Sequence, residues 1–160
     1  MIRVRSLDRT LGRAFAGVSV AWAALLPLAA YGASRPHPSA WLWSCTAAIY
    51  GLGSTICHQL PARSFHLWSA QLPVCARCTG VYLGAAIVAL VTGWRDRSGA
   101  LLRHAARTID GRVVFFVAAL PSLTTLAFEW ASGVTPSNSV RALAGLPLGA
   151  AVAWLVIRVN

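Results

Sequence analysis

Charged residues are scarce in this sequence. Only 11% of its 160 residues are Asp, Glu, Lys or Arg, whereas soluble domains contain about 25%. A chain with so little charge has few side chains with which to cover a water-facing surface, and 57% of its residues are hydrophobic. The composition therefore argues against a soluble globular domain and predicts a protein that folds in a lipid bilayer.

Acidic residues are rarer still, and lysine is absent. Four acidic side chains stand against fourteen basic ones, all of them arginine, and the formal net charge is +10. The arginines flank apolar blocks and form no stripe on a polar face, so this charge does not predict nucleic-acid binding. Cysteine is also too infrequent, at four residues, for a disulfide-rich scaffold.

Five apolar blocks occupy most of the chain. Each is close to the roughly 20 residues that a helix needs to cross a bilayer, and helices are required because lipid offers no partners to backbone polar groups. The sequence therefore predicts an all-α fold, a single polytopic membrane domain over residues 1–160 with about five transmembrane helices. The predicted spans are about residues 14–32, 40–57, 73–94, 113–132 and 139–157.

The arginine positions do not orient these five spans. Cytoplasmic loops carry an excess of Lys and Arg, but a five-span arrangement places seven arginines on each side. If one block is re-entrant, the N-terminus and the arginine-rich segment 95–112 both lie in the cytoplasm. The sequence therefore leaves the orientation open.

Three of the four cysteines lie in one polar stretch, ICHQLPARSFHLWSAQLPVCARCTG, at residues 56–80. Cys75 and Cys78 begin the third block three positions apart, so their sulfurs share one face of the predicted helix. The helix dipole and Arg77 both favour the thiolate form there. A CxxC pair placed in this way can close a disulfide or bind a metal.

A metal site is the first hypothesis for this stretch. Three thiolates and one histidine form a common tetrahedral zinc site. His66 is favoured over His58 as the fourth ligand, because adjacent residues such as Cys57 and His58 seldom bind the same ion. Zinc is the first candidate metal, and an iron–sulfur cluster or copper is the alternative. The predicted ligands are Cys57, His58, His66, Cys75 and Cys78.

Two other functions remain open. The protein is a membrane thiol–disulfide oxidoreductase if Cys75 attacks as a thiolate and Cys78 resolves the mixed disulfide. It is a transporter of small molecules or lipids, with structural cysteines, if its arginines bind an anionic ligand. Whether it is an enzyme, and which partner protein it has, is therefore undecided.

Glu129 and Arg141 form a second candidate site. Ionisable residues inside membrane spans are costly and usually functional. These two lie at similar depth on either side of the turn between the fourth and fifth blocks, so we predict an ion pair between them. The predicted polar pocket comprises Arg63, Arg77, Tyr82, Glu129, Asn138 and Arg141.

Two glycine pairs with the GxxxG spacing occur, Gly80 with Gly84 and Gly145 with Gly149. Small residues at this spacing let two helices approach closely. Packing inside one bundle is the favoured interpretation, and a homo-oligomer is the alternative.

The runs CHQLPARSF, LPVCARCTGVYLG and SNSVRALAGLPLG resemble an uncharacterised prokaryotic membrane-protein family, DUF2085, over roughly residues 57–149. The resemblance implies a small polytopic protein of a bacterial plasma membrane and supplies no reaction. Family members often have an aspartate near Thr125, whereas this chain has Glu129 one turn later. The matching positions are Cys57, His58, Gln59, Pro61, Arg63, Ser64, Phe65, Cys75, Arg77, Cys78, Gly80, Tyr82, Gly84, Asn138, Arg141 and Gly145.

Overall fold

A computed structural model describes residues 2–94 and 110–159. The described residues form five α-helices and one short β-hairpin, which confirms the predicted all-α membrane helix bundle. The helices are α1 (Ile2–Ala33), α2 (Ala40–Ile56), α3 (Ala76–Trp94), α4 (Gly111–Ser132) and α5 (Asn138–Val159). Between α2 and α3 lie a 3₁₀ turn (Pro61–Arg63) and the strands β1 (His66–Leu67) and β2 (Ala70–Gln71).

The helices begin and end close to the predicted spans, with two exceptions. α1 extends back to Ile2, because the residues that precede the first apolar block contain no proline to stop the helix. α3 begins at Ala76 and not at Pro73. The carbonyl of Pro73 accepts a hydrogen bond from Gln59 Nε2 at 2.7 Å, and Cys75 becomes the residue that caps α3.

α3 and α5 form the closest helix pair and run parallel. Gly80 lies against the backbone of Ala142, and Gly149 lies against the backbone of Val81. A Cβ atom at any glycine of the two GxxxG pairs would overlap backbone atoms of the facing helix. Both glycine pairs therefore pack against each other within one chain, as the favoured interpretation of the sequence predicted.

α1 runs antiparallel to α3. The ring of Trp22 meets that of Tyr82 edge-on, with centroids 6.0 Å apart. Two turns further along α1, Ala30 belongs to the same buried cluster as Val74, which precedes α3. The C-terminal end of α1 therefore lies beside the start of α3.

α4 and α5 form an antiparallel pair. Ser122 Oγ donates to the carbonyl of Ala144 at 2.8 Å, and Arg141 donates to Glu129 across the same pair of helices. The end of α4 and the start of α5 thus lie with the start of α3 and the end of α1. We call this end of the bundle the cysteine end, and the other the opposite end.

The outward surfaces of the helices are apolar. Val18, Phe116 and Leu143 are 68%, 65% and 67% exposed, as expected of side chains that face lipid and not water. Three of the described helices have segments long and apolar enough to cross a membrane, Thr10–Ala33, Gly111–Ser132 and Asn138–Ile157, and α3 has a shorter apolar segment, Ala76–Thr92.

Candidate metal centre and adjoining polar cluster

The loop between α2 and α3 folds into a small hairpin at the cysteine end. Its strands β1 and β2 pair antiparallel, with His66 opposite Gln71. The two turn residues, Trp68 and Ser69, both have positive φ, which a two-residue hairpin turn of type I′ requires. The hairpin returns the chain to the bundle directly before the CxxC motif.

Two glutamines hold this loop in place. Gln59 Nε2 donates to the carbonyls of Tyr50 and Pro73, at 2.8 and 2.7 Å. Gln71 Nε2 donates to the carbonyl of Gln59 and to Ser64 Oγ. The role of Gln71 was not predicted from the sequence; the signal that could have indicated it is that an apolar chain of this length contains only two glutamines.

Three cysteines converge at the cysteine end, and we call them the three-cysteine group. The Sγ atoms of Cys57, Cys75 and Cys78 all lie within 4.8 Å of one another. Cys57 is buried, whereas Cys75 and Cys78 are half-buried. Cys57 directly follows α2, and its Sγ accepts a hydrogen bond from the backbone N–H of Cys75 at 3.1 Å. Residues far apart in the chain thus form one sulfur-rich site.

Cys75 occupies the N-cap position of α3. Its carbonyl accepts the first helical hydrogen bond, from the N–H of Thr79 at 2.9 Å. A hydrogen bond from the Cys78 thiol, with further bonds from the backbone N–H of Cys78, the Cys57 thiol and the N–H of Arg77, lowers the pKa of Cys75 to about 5, although burial opposes the shift. Cys75 therefore ionises more readily than an ordinary thiol, and the thiolate is the form that binds metals and attacks disulfides.

The three-cysteine group fits a metal that prefers sulfur. Zinc binds thiolate sulfur at about 2.3 Å, so two sulfurs on a tetrahedral zinc lie about 3.8 Å apart. Sulfurs within 4.8 Å of one another need to move by about 1 Å or less to reach that geometry. Three thiolates suit zinc or Cu(I), whereas iron–sulfur clusters are generally held by four ligands.

The structure does not bring the predicted histidines to the three sulfurs. Among the described residues, the group of candidate ligands contains cysteines alone. His58 directly follows Cys57 but is exposed, and His66 is exposed on β1. The structure therefore assembles three of the five predicted ligands, and the histidine ligand stays a prediction.

An apolar core backs the three-cysteine group on its inner side. Tyr82, which was predicted to line a polar pocket, packs against this core together with Trp22. Such surroundings exclude water and strengthen electrostatic interactions at the sulfurs. The buried core residues beside Cys57 are Leu26, Ala30, Leu72 and Val74.

A second polar site, which we call the arginine–glutamate cluster, lies where α4 and α5 meet the 3₁₀ turn. Glu129 Oε1 accepts from Arg141 at 3.0 Å and from Arg63 at 2.6 Å. The side chains of Glu129 and Arg141 are 4% and 3% exposed, whereas that of Arg63 is 42% exposed. The predicted pair of Glu129 with Arg141 is thus present, and the pair of Glu129 with Arg63 was not predicted.

Arg77 joins α3 to this cluster and not to the thiols. Its guanidinium donates to Thr125 Oγ1 at 3.2 Å, one helical turn before Glu129 on α4. Thr125 Oγ1 in turn donates to the carbonyl of Ser122 at 3.0 Å. Arg77 lowers the pKa of Cys75 through its backbone N–H. Its side-chain charge was expected to favour the thiolate, but the guanidinium is directed to Thr125 instead.

The arginine–glutamate cluster is only partly satisfied within the described structure. Glu129 Oε2, Arg77 Nε and Arg141 Nε are buried without a hydrogen-bond partner there. Together with Arg63, these groups comprise three guanidinium ions and one carboxylate, so positive charge is in excess. Buried charge of this kind is stable only when it is compensated.

A hydrogen bond joins the start of α5 to the loop that carries the three-cysteine group. Asn138 Nδ2, in the first turn of α5, donates to the carbonyl of Ser64 at 2.9 Å. Ser64 is fully buried in the cysteine-bearing loop, directly after the Arg63 that binds Glu129. The start of α5 and the end of α4 thereby both hold the loop that carries the three-cysteine group.

The fold and the site together define an all-α membrane protein with a group of three cysteines that can hold a metal ion. Residues 57–155 match the family model described as "Predicted membrane protein (DUF2085)". The chain belongs to the DUF2085 family, as the sequence resemblance predicted. The matched region includes the three-cysteine group and all residues of the arginine–glutamate cluster.

Two archaeal relatives are similar to parts of the chain. An uncharacterized protein of Methanocaldococcus jannaschii is 38% identical over 63 residues, which are 39% of this chain and 38% of that protein. An uncharacterized protein of Methanothermobacter thermautotrophicus is 57% identical over 30 residues, which are 19% of this chain and 27% of that protein. The matches thus span well under half of each relative, and no solved structure matches the chain.

Proposed function

We propose that this protein is a multi-pass protein of the cell membrane that binds a transition-metal ion through Cys57, Cys75 and Cys78. The observation that carries the proposal is the convergence of three sulfurs within 4.8 Å from both ends of one loop. Zinc is the preferred metal, because three thiolates in one place match its usual ligands. Cu(I) is the second choice, since it also favours sulfur.

The surroundings of the sulfurs support a preformed site. The glutamine hydrogen bonds fix the loop, and the backbone N–H of Cys75 already donates to Cys57 Sγ. Hydrogen bonds to ligand atoms orient them and tune their affinity for metal. The lowered pKa of Cys75 also reduces competition between protons and the metal, because only the thiolate binds.

Three protein ligands leave one position on a tetrahedral ion. In catalytic zinc sites water or substrate occupies this position, and in structural sites a fourth side chain does. His58 and His66 are the candidate side chains, and each has to turn toward the sulfurs from its exposed position. Whether water or a side chain occupies the fourth position decides whether a metal bound to this protein is reactive or structural.

Thiol–disulfide exchange is the second candidate function, because it needs the same low pKa at Cys75. The Cys75 thiolate would attack a disulfide in a partner protein and release one thiolate of that partner. Cys78 would then displace the second partner thiolate, leaving a Cys75–Cys78 disulfide and a reduced partner. This reaction requires free access of the partner to Cys75 and no bound metal.

Metal analysis of the detergent-purified protein tests the proposal. The wild type is expected to contain close to one equivalent of metal, and the Cys75→Ser/Cys78→Ser protein none. Cys45→Ser is the matched control, because Cys45 lies on α2 outside the three-cysteine group. It is expected to keep the wild-type metal content.

Alkylation of thiols in cells separates the two functions. Bound metal protects all three sulfurs until a chelator is added, whereas an oxidoreductase shows a reversible Cys75–Cys78 disulfide that a chelator does not affect. The metal proposal would be overturned if the wild type contained no more metal than the double variant and if a chelator did not change the alkylation of its thiols.

Transport of an anionic small molecule or lipid stays the third hypothesis. Its support is the excess of positive charge in the arginine–glutamate cluster. Transport activity that survives replacement of all four cysteines would favour it over both thiol-based functions.

A further inference from the structure

The position of α2 is unlike that of the other four helices. Its first turns lie against the last turn of α1, where a Cβ on Gly32 would touch Leu42 and Thr46. The last turn of α1 is at the cysteine end of the bundle. The N-terminal part of α2 is therefore at the cysteine end.

The C-terminal part of α2 is at the same end. A Cβ on Gly53 would overlap the backbone carbonyl of Pro73, just before α3 begins. The following loop also stays there, since the ring of Trp68 meets that of Tyr31 in α1 edge-on, with centroids 5.5 Å apart. Both halves of α2 are thus beside the ends of spanning helices and not along their length.

A helix of this length cannot both keep its two halves at one end of the bundle and cross the membrane. A helix of 17 residues is about 25 Å long, so a crossing α2 would place its two ends on opposite faces of a bilayer core of about 30 Å. Only Gly53 in α2 is buried, while Trp41 and Trp43 are 75% and 64% exposed. Tryptophan is enriched where protein meets the lipid headgroups.

Because all of α2 lies at the cysteine end, the arginines are no longer divided evenly between the two ends of the bundle. Four lie at the cysteine end, and three of these belong to the arginine–glutamate cluster. The other ten belong in the sequence to the N-terminal part of α1, the segment between α3 and α4, the first turn of α4 and the last turn of α5: Arg3, Arg5, Arg9, Arg13, Arg95, Arg97, Arg103, Arg107, Arg112 and Arg158. An excess of arginine in short loops marks the cytoplasmic side.

We infer that the chain crosses the membrane four times, with α2 lying along the outer surface among the lipid headgroups and the cysteine end facing away from the cytoplasm. Both termini and the segment between α3 and α4 lie in the cytoplasm. Where the inference concerns metal it rests on the proposed function: the three-cysteine group takes up a metal ion from the external compartment.

Labelling of single cysteines tests this arrangement in intact cells. Cysteine is introduced in the Cys45→Ser protein at His37, between α1 and α2; at Thr135, between α4 and α5; or at Ser98, between α3 and α4. A membrane-impermeant maleimide is added before or after permeabilisation, and the labelled peptides are identified by mass spectrometry, which separates them from the native cysteines.

The expected result is labelling of His37→Cys and Thr135→Cys in intact cells, and labelling of Ser98→Cys only after permeabilisation. If His37→Cys becomes accessible together with Ser98→Cys and not with Thr135→Cys, α2 crosses the membrane and the inference is wrong. If His37→Cys and Thr135→Cys both require permeabilisation while Ser98→Cys does not, the outward orientation is wrong.

This labelling does not depend on bound metal. A protein that shows the expected pattern but no metal would overturn the proposed function and leave the topology intact. A protein that binds metal through its three cysteines but shows the five-span pattern would overturn the topology and leave the proposed function intact.

Discussion

The three-cysteine group and the arginine–glutamate cluster lie at the same end of the bundle but satisfy their polar atoms in different ways. The cluster contains opposite charges, and Glu129 already accepts from Arg63 and Arg141. The three sulfurs have no basic side chain as a partner in the described structure; backbone N–H groups and one another are what stabilise them. The cluster pairs its one carboxylate with two arginines and keeps an excess of positive charge, whereas the three sulfurs have no cationic partner of their own and gain most from a bound cation.

This difference explains why the polar residues of an apolar chain are gathered here. The arginine–glutamate cluster, with Asn138 and Ser64, fixes the loop from one side, and the glutamines fix it from within. The three-cysteine group is the part of the loop that is left for a ligand. We therefore expect changes in the cluster to affect stability first, and changes in the cysteines to affect metal binding first.

Replacing Cys57 by serine is expected to have the largest effect on the three-cysteine group. Loss of a direct ligand should weaken metal binding by more than about 100-fold, since substitutions outside the ligands already cost 10–100-fold. Competition with a chromogenic chelator measures the affinity, and Cys45→Ser is the control. Equal affinities of the two variants would remove Cys57 from the ligand set.

Glu129→Gln should have the largest effect on stability. The substitution leaves Arg141 buried without its counter-charge, a change that typically costs about 3–5 kcal/mol. Thermal unfolding in detergent measures the loss. A Glu129→Gln protein as stable as the wild type would indicate that another anion neutralises the arginines.

Gly149→Ala should separate α3 from α5. The new methyl group overlaps the backbone of Val81, and overpacking of this kind costs about 1–3 kcal/mol. Gly17→Ala is the control, because a Cβ at Gly17 meets no atom within 4 Å. If both alanine variants unfold at the same temperature, the close approach of α3 and α5 does not limit stability.

Arg63→Gln should have the smallest effect of the four. Arg63 is 42% exposed, and such partly exposed ion pairs contribute about 0–1 kcal/mol; Glu129 keeps Arg141 as its partner. The same unfolding assay is used, with Glu129→Gln as the reference. A loss as large as that of Glu129→Gln would mean that Arg63, and not Arg141, is the main partner of Glu129.

The glycine pairs and the Glu129–Arg141 pair could be predicted because their spacing alone places them on facing helices. The direction of Arg77 could not, since a side chain at the start of a helix can reach either neighbour. Its bond to Thr125 depends on how α3, α4 and α5 pack. The exposed positions of His58 and His66 likewise follow from the hairpin, which the apolar pattern of the sequence does not reveal.

The sequence by itself determined that this protein is a membrane helix bundle and roughly where its apolar helical segments lie, because a bilayer permits few structures and apolar run length is a local property. It also marked the CxxC pair, whose spacing is local. Only the tertiary structure decided that α2 stays at one end, that Cys57 reaches Cys75 and Cys78, and that Arg77 turns to α4. These features arise from contacts between residues far apart in the chain, and hydrophobicity along the chain carries no information about which distant partner a residue meets.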